Sequence, residues 1–476
     1  MKPPPFLRAI ASAMSGRLAT AAVNYGLFWH LARTVDAPTL GGFSLLMSLF
    51  LIISLLPMLG VSTPFMRRMS VSADAIPLEV SNAIVFSAPI VLVLLTCIGC
   101  WGQISSHQDL RRAYWMVAAT LIPGAWIVVA ECTLLAQERI RDITRANLLE
   151  VLIRTALAIV AIHFGYGIDG VIAAILVSRC ACACIYLIHP CVPLPRLRLV
   201  SMTVQRRNWG EVPIYLGIAV VAGLVARLDV VMVSYLRSLS DAATYAAASR
   251  LYEAAQMLPT VTALVVMPVL ARRHVHAPES IPETLALAVR LSLALGLGAA
   301  VFASALAQPL VNLVYRPEMA GAGPVLGCLA FAAALMVVDV ILSSAMIATN
   351  AQTADLHSLA IGLAVLAAAL LVLVPAFGPT GAAAAVTLGV AVRVAMRLRW
   401  AVRALGLPSP WPSLARLAVA CAAAGWTESI TRGHGAVVAG LSGLAAYVAT
   451  ATLSGEMGHR FAQDLRSGAA LFVQRG

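Results

Sequence analysis

Ionisable and amide side chains stand inside long apolar runs of this sequence. Arg17 and Asn24 lie in the first run, Glu131 in the fourth, Glu150 and Arg154 in the fifth and Arg179 in the sixth. Arg227 and Asp229 fall in the seventh, Arg250 and Glu253 in the eighth, Asp339 in the tenth and Arg393 in the twelfth. A charge at the centre of a membrane helix costs about 2.5–3.5 kcal/mol on insertion scales, so such residues mark substrate paths, relays or ion pairs. Arg179, Arg227, Asp339 and Arg393 sit mid-run, too deep to snorkel to an interface. Arg17, Glu131, Arg290 and Arg397 sit nearer the ends, where position alone reads as an interfacial anchor. Glu150 and Arg154 are four apart and Arg250 and Glu253 three apart, the spacing of an intrahelical ion pair. Arg17 and Asn24 share a helix face; Arg227 and Asp229 point to different sides.

Arginine outnumbers acid at these depths. A net cationic, water-filled cavity suits an anionic substrate, and arginine's planar fork matches phosphate oxygens. The candidate cavity residues are Arg17, Asn24, Arg154, Arg179, Arg227, Arg250 and Arg393. Asp229 and Asp339 are the candidates for ion coupling. No hydrolytic or metal chemistry is indicated. The histidines are scattered without HExxH spacing, and no Gly-rich phosphate loop is present. Cys97-x-x-Cys100 has no second pair, and the other cysteines lie in or beside apolar runs. No metal, cofactor, disulfide framework or enzyme activity is expected.

The elements that must hold these residues follow from composition. The chain has 476 residues, 61% of them hydrophobic and 11% charged. Soluble domains are roughly 45–50% apolar and about 25% charged. The fold class is therefore an all-α polytopic membrane protein. At about 20 apolar residues per crossing, about fourteen transmembrane helices fit. They lie near 11–32, 42–65, 80–102, 113–136, 147–165, 168–190, 212–236, 243–271, 285–314, 322–349, 356–376, 380–400, 414–431 and 434–454. The N-terminal run is too long and too polar for a cleavable signal and reads as a retained span.

The net charge of +12 is almost entirely arginine. Most of it falls in alternate connections, including Arg139, Arg141, Arg145, Arg196, Arg198, Arg206 and Arg207. The positive-inside rule then puts both termini in the cytoplasm, and nucleic acid is not an expected partner. The expected divisions are an N-terminal six-helix bundle (1–190), a basic cytoplasmic linker (191–211) and a C-terminal six-helix bundle (212–400). Two additional helices (401–454) and a cytoplasmic tail (455–476) follow.

One segment appears twice. Gly42-Phe43 is followed by Pro57, Pro64 and Arg67-Arg68; Thr244-Tyr245 is followed by Pro259, Pro268 and Arg272-Arg273. In each copy the first of these prolines is the fourteenth residue after the aromatic. The four prolines are expected to bend their helices. Both double arginines fall on the expected cytoplasmic side, so the copies are parallel repeats, a transporter device.

Leu31-Ala32-Arg33, Gly42-Phe43, Leu59-Gly60-Val61-Ser62 and Arg67 resemble the opening of the polysaccharide transporters, the Wzx-type oligosaccharide flippases. So do Arg227-Leu228-Asp229, Tyr245-Ala246-Ala247-Ala248, Pro259 and Pro268-Val269-Leu270. That family belongs to the superfamily of multidrug and toxin extruders and lipid II flippases. The resemblance implies two parallel six-helix pseudo-repeats forming a V-shaped central cavity, with alternating access. It implies an inner-membrane flippase carrying an undecaprenyl-pyrophosphate-linked oligosaccharide to the periplasmic leaflet, for exopolysaccharide, capsule or O-antigen assembly. Arg17, Arg154, Arg179, Arg227 and Arg250 would offset the pyrophosphate, and the lipid tail would stay in the bilayer. Implied partners are this lipid-linked substrate, membrane lipids and the polymerase and chain-length components of the pathway. The multidrug branch commonly has an acid in its first helix; here Asp36 falls in the following connection.

Two other readings compete. A cation-coupled multidrug exporter would use Asp229 and Asp339. A membrane glycan polymerase or ligase would need a large periplasmic loop, and the apolar runs leave no room for one.

Overall fold

The computed structural model describes residues 5–58, 61–409 and 411–454. These residues are helical almost throughout. The first compact unit, 1–235, contains α1 (Pro5–Thr34), α2 (Ala37–Ile53), α3 (Ser62–Val71), α4 (Ile76–Ile104) and α5 (Arg111–Ala119). It continues with α6 (Leu121–Ala136), α7 (Ile140–His163), α8 (Gly167–Leu187) and α9 (Met202–Leu236). The second unit, 236–476, contains α10 (Leu239–Ala255), α11 (Met257–His276), α12 (Ile281–Val314) and α13 (Ala322–Ala348). It closes with α14 (Gln352–Leu405), α15 (Trp411–Thr431) and α16 (Ala436–Leu453). The expected tail, 455–476, lies outside the described residues.

Each expected span contains helix among its described residues. Among the described residues, nine helices are long and apolar enough to cross a membrane. The longest, α14, has 54 residues and is two arms joined across a kink at Gly378 (φ 60°, ψ −137°). Its arms coincide with the eleventh and twelfth expected spans. The second and eighth expected spans are each broken, into α2 and α3 and into α10 and α11. Pro57 lies in the first break, while Pro64 and Pro259 sit in the first turn of the resumed helix, where a missing N–H costs nothing. Pro268 lies within α11.

The two units share local landmarks. Asp36 caps α2 by accepting from the Thr39 N–H, and Ser238 caps α10 by accepting from the Asp241 N–H. Arg68 forms an ion pair with Glu79, eleven residues on, at 3.2 Å, and Arg273 donates to the Thr284 hydroxyl, also eleven residues on. Among the described residues, the non-glycine positions with positive φ are Glu138 and Asn350, immediately after α6 and α13. The next N–H in each case closes on a carbonyl five residues back, Arg139 to Leu134 and Ala351 to Met346.

The expected linker is half helix. Its last ten residues begin α9, and its first half is tied to the start of α4. Asn82, fully buried, donates to the Leu199 carbonyl and accepts from the Ser201 N–H and the Gln205 side chain. Glu79 pairs with Arg207 at 2.6 Å as well as with Arg68, and Arg68 also pairs with Glu211 at 2.9 Å. At the other end of α9 the Tyr235 hydroxyl bonds Tyr114 (2.7 Å) and Trp101 (2.9 Å). These ties join α9 to the first unit, whereas composition alone assigns that span to the second half.

Each unit has its own apolar core. Val80, Phe86, Ile127, Ala130, Leu134 and Tyr186 are central in the first. Leu285, Leu293, Val338, Leu342, Leu398 and Tyr447 are central in the second. Large apolar side chains also point outward, among them Leu92, Ile104, Val372 and Phe377, as lipid-facing helices require. Glu428 of α15 turns inward to Ser304 and Gly443, so its charge is kept off the lipid face.

Candidate functional site

Several of the charges within apolar helices gather into one polar cluster in each unit. In the first unit α1, α2, α6, α7 and α8 contribute. Arg179 of α8 pairs with Glu150 of α7 at 3.5 Å and lies over the Phe50 ring, 5.1 Å from its centroid. Arg154, one turn beyond Glu150 and buried, donates to the Asn24 side-chain oxygen of α1. Glu131 of α6 faces Asn147, Arg179, Glu150 and Tyr186. Helix geometry explains the grouping. Asn147, Glu150 and Arg154 lie three and four residues apart on one stripe of α7, and Arg179, Cys182 and Tyr186 form a matching stripe on α8.

Three expectations change here. Glu150 answers Arg179 across two helices as well as lying a turn from Arg154. Glu131, half-buried, interacts with this cluster, where position alone reads it as an interfacial anchor. Formally, Arg154 and Arg179 are matched by Glu131 and Glu150, so the cluster is less cationic than arginine counting suggests.

The second unit's cluster is closed. Asp339 of α13 pairs with Arg393 at 3.0 Å and with Arg397 at 2.6 Å, both on the second arm of α14. Arg397 also pairs with Asp355 at 2.8 Å, donates to Ser358 and reaches the Asp339 carbonyl. Ser343 donates to the other Asp355 oxygen. Asp339, Arg393 and Arg397 are 4%, 5% and 4% exposed, so water hardly screens the Asp339 pairs, while Asp355 is half-buried. Gly362 lets the Arg393 stem pass where any Cβ would collide with it. Arg397, expected as an anchor, is the hub. The missed members, Asp355 and Ser358, carry a weak signal: three apart, they mark one face of the first arm.

The other candidates are placed as follows. Arg227 and Asp229 are half-buried on α9, and the Asp229 carboxylate accepts from the Val230 N–H. Arg250 and Glu253 form the intrahelical pair their spacing predicts, at 3.0 Å on α10. Arg17 belongs to α1, but its side chain lies outside what the structure describes, as does that of Pro268. The first unit thus brings together Asn24, Arg154 and Arg179; the second joins Arg393 to Asp339. Among the described residues no group of three or more His, Cys, Asp or Glu side chains could hold a metal ion.

A family model for polysaccharide biosynthesis proteins matches residues 30–319, more than half of the chain. The chain belongs to that family. Its fold is shared with solved membrane transporters. A lipid II flippase MurJ in an inward closed conformation superposes with a TM-score of 0.74 at 12% identity, over 93% of this chain and 98% of that one. An inward-facing multidrug resistance MATE transporter of the MOP superfamily gives 0.66 at 13% identity, over 81% and 94%. An outward-facing MATE transporter of the same superfamily gives 0.56 at 14% identity, over 84% and 95%. Among curated proteins no sequence matches the chain. This member of the polysaccharide biosynthesis family is thus a multi-pass α-helical membrane protein with the fold of the MOP superfamily.

Proposed function

We propose that the chain is a flippase that moves a polyprenyl-pyrophosphate-linked oligosaccharide from the cytoplasmic to the periplasmic leaflet by alternating access. The observation that carries this is the polar cluster of the first unit. It holds two arginines, Arg154 and Arg179, deep in an apolar bundle of a polysaccharide biosynthesis protein. The 3.5 Å Arg179–Glu150 contact is the looser of the two clusters' ion pairs, so a pyrophosphate oxygen competes with Glu150 for the guanidinium. The chain sits in the inner membrane with both termini cytoplasmic, as parallel six-helix repeats followed by two extra helices. The paired N-caps, arginine ties and positive-φ residues support that repeat reading.

The test removes both charges of the pair, so that neither is left buried alone. Arg179→Ala with Glu150→Gln should insert at normal levels and lower polymer export about 10- to 100-fold, the worth of one or two charge-assisted hydrogen bonds. Wild-type export from a normally inserted variant would sink the proposal.

The two carboxylates Glu131 and Glu150 in one cluster favour a second reading, a cation-coupled multidrug exporter. That reading requires expression of the chain to raise resistance to cationic dyes, and Glu131→Gln to abolish the gain.

A further inference from the structure

Segment 194–209, which runs from the connection after α8 into the first turns of α9, is pinned yet leaves several of its apolar side chains exposed. Asn82, Ser81 and Glu79 of α4 fix it through the Leu199 carbonyl, the Ser201 and Arg196 N–H groups and the Arg207 side chain. Leu197 is 84% exposed and Met202 72%, while Trp209, 49% exposed, rests one side of its ring against Phe86 of α4. Arg196, Arg198 and Arg206 are exposed among them. A water-facing surface gains nothing from such an arrangement, and a membrane surface matches both halves of it.

Its position agrees. The candidate membrane span of α9 is Tyr215–Leu236. Trp209 lies six residues earlier, about 9 Å along the helix, at the depth where tryptophan anchors in headgroups. The preceding crossing helix, α8, ends at Leu187. We infer that segment 194–209 docks onto anionic phospholipid headgroups of the cytoplasmic leaflet. Arg196, Arg198 and Arg206 meet the phosphates, with Leu197, Met202 and Trp209 set among the headgroups. Arg207, tied to Glu79, is an anchor of the segment and contacts no lipid. A protein partner would have no reason to prefer alternating basic and apolar residues at this depth.

The full-length protein is equilibrated in mixed micelles containing equal phosphatidylglycerol and phosphatidylcholine, and retained lipids are counted by native mass spectrometry. The wild type should retain phosphatidylglycerol preferentially. Combining Arg196→Gln, Arg198→Gln and Arg206→Gln should lower the retention ratio at least about tenfold, and each single change about fivefold at most. Arg399→Gln with Arg403→Gln, exposed arginines of the second unit, should leave it unchanged. An unaltered ratio in the triple variant overturns the inference, as does an equal loss in the control. Displacement of the lipid by inorganic pyrophosphate at equal concentration would also overturn it, because the surface would then be a phosphate site. If the triple variant fails to fold, the three single variants decide the matter by the same ratio.

Discussion

Asp339 receives two guanidiniums, and Arg397 hands the charge on to Asp355 and Ser358. This network offers a substrate or ion little, because each charge already has an opposite partner within 3.0 Å. Replacing Asp339 by Ala leaves Arg393 without its carboxylate in a buried site. Removing one partner of a buried pair costs about 3–5 kcal/mol, so Asp339→Ala should lower the thermal unfolding temperature strongly in detergent. Asp339→Ala with Arg393→Met should recover part of the loss. A variant as stable as the wild type would show that the network contributes nothing. Sequence position identified Asp339 and Arg393 but graded Arg397 by its distance from a span end. Depth along one helix says little about burial when a neighbouring helix covers the position. The Glu150–Arg154 spacing had the same weakness: it predicts which side chains can touch along α7, and α1 and α8 supply the partners.

Arg237 packs against the kink of α14. Its guanidinium donates to the Pro375 carbonyl at 3.3 Å and pairs with Asp241 at 3.4 Å. That carbonyl is available because Pro379 has no N–H to close the turn. Gly378 occupies a conformation that a side chain would strain, at about 1–3 kcal/mol. Gly378→Ala should therefore destabilise the protein by about that amount, measured as a lowered unfolding temperature, while Gly210→Ala, mid-helix and open, should not. Equal effects would remove the special role of the kink. The two arms were legible as separate spans, because Pro375, Gly378 and Pro379 interrupt an apolar pattern long enough for two crossings. The breaks between α2 and α3 and between α10 and α11 were legible only as prolines. Where each helix resumes depends on the next available carbonyl partner, which is a tertiary matter.

Parallel repeats make a prediction about sidedness. Arg67 and Arg272 must both face the cytoplasm, so cysteines placed at these positions in a cysteine-free chain should both be labelled only from the cytoplasmic side by an impermeant maleimide. Labelling from opposite sides would make the repeats inverted. The duplicated prolines and double arginines suggest this relation; the units also share N-caps at Asp36 and Ser238 and positive-φ turns at Glu138 and Asn350. By itself the sequence determined the class of protein and the family resemblance. Apolar run length must match the bilayer, and arginine in the connections is sorted by side. Only tertiary structure decided which charges answer one another, because helix rotation and packing choose the facing stripe. The same physics tied the basic linker to α4. Its arginine spacing marked it as cytoplasmic, but only the buried Asn82 and Glu79 decided that it lies pinned, with several of its apolar side chains left exposed.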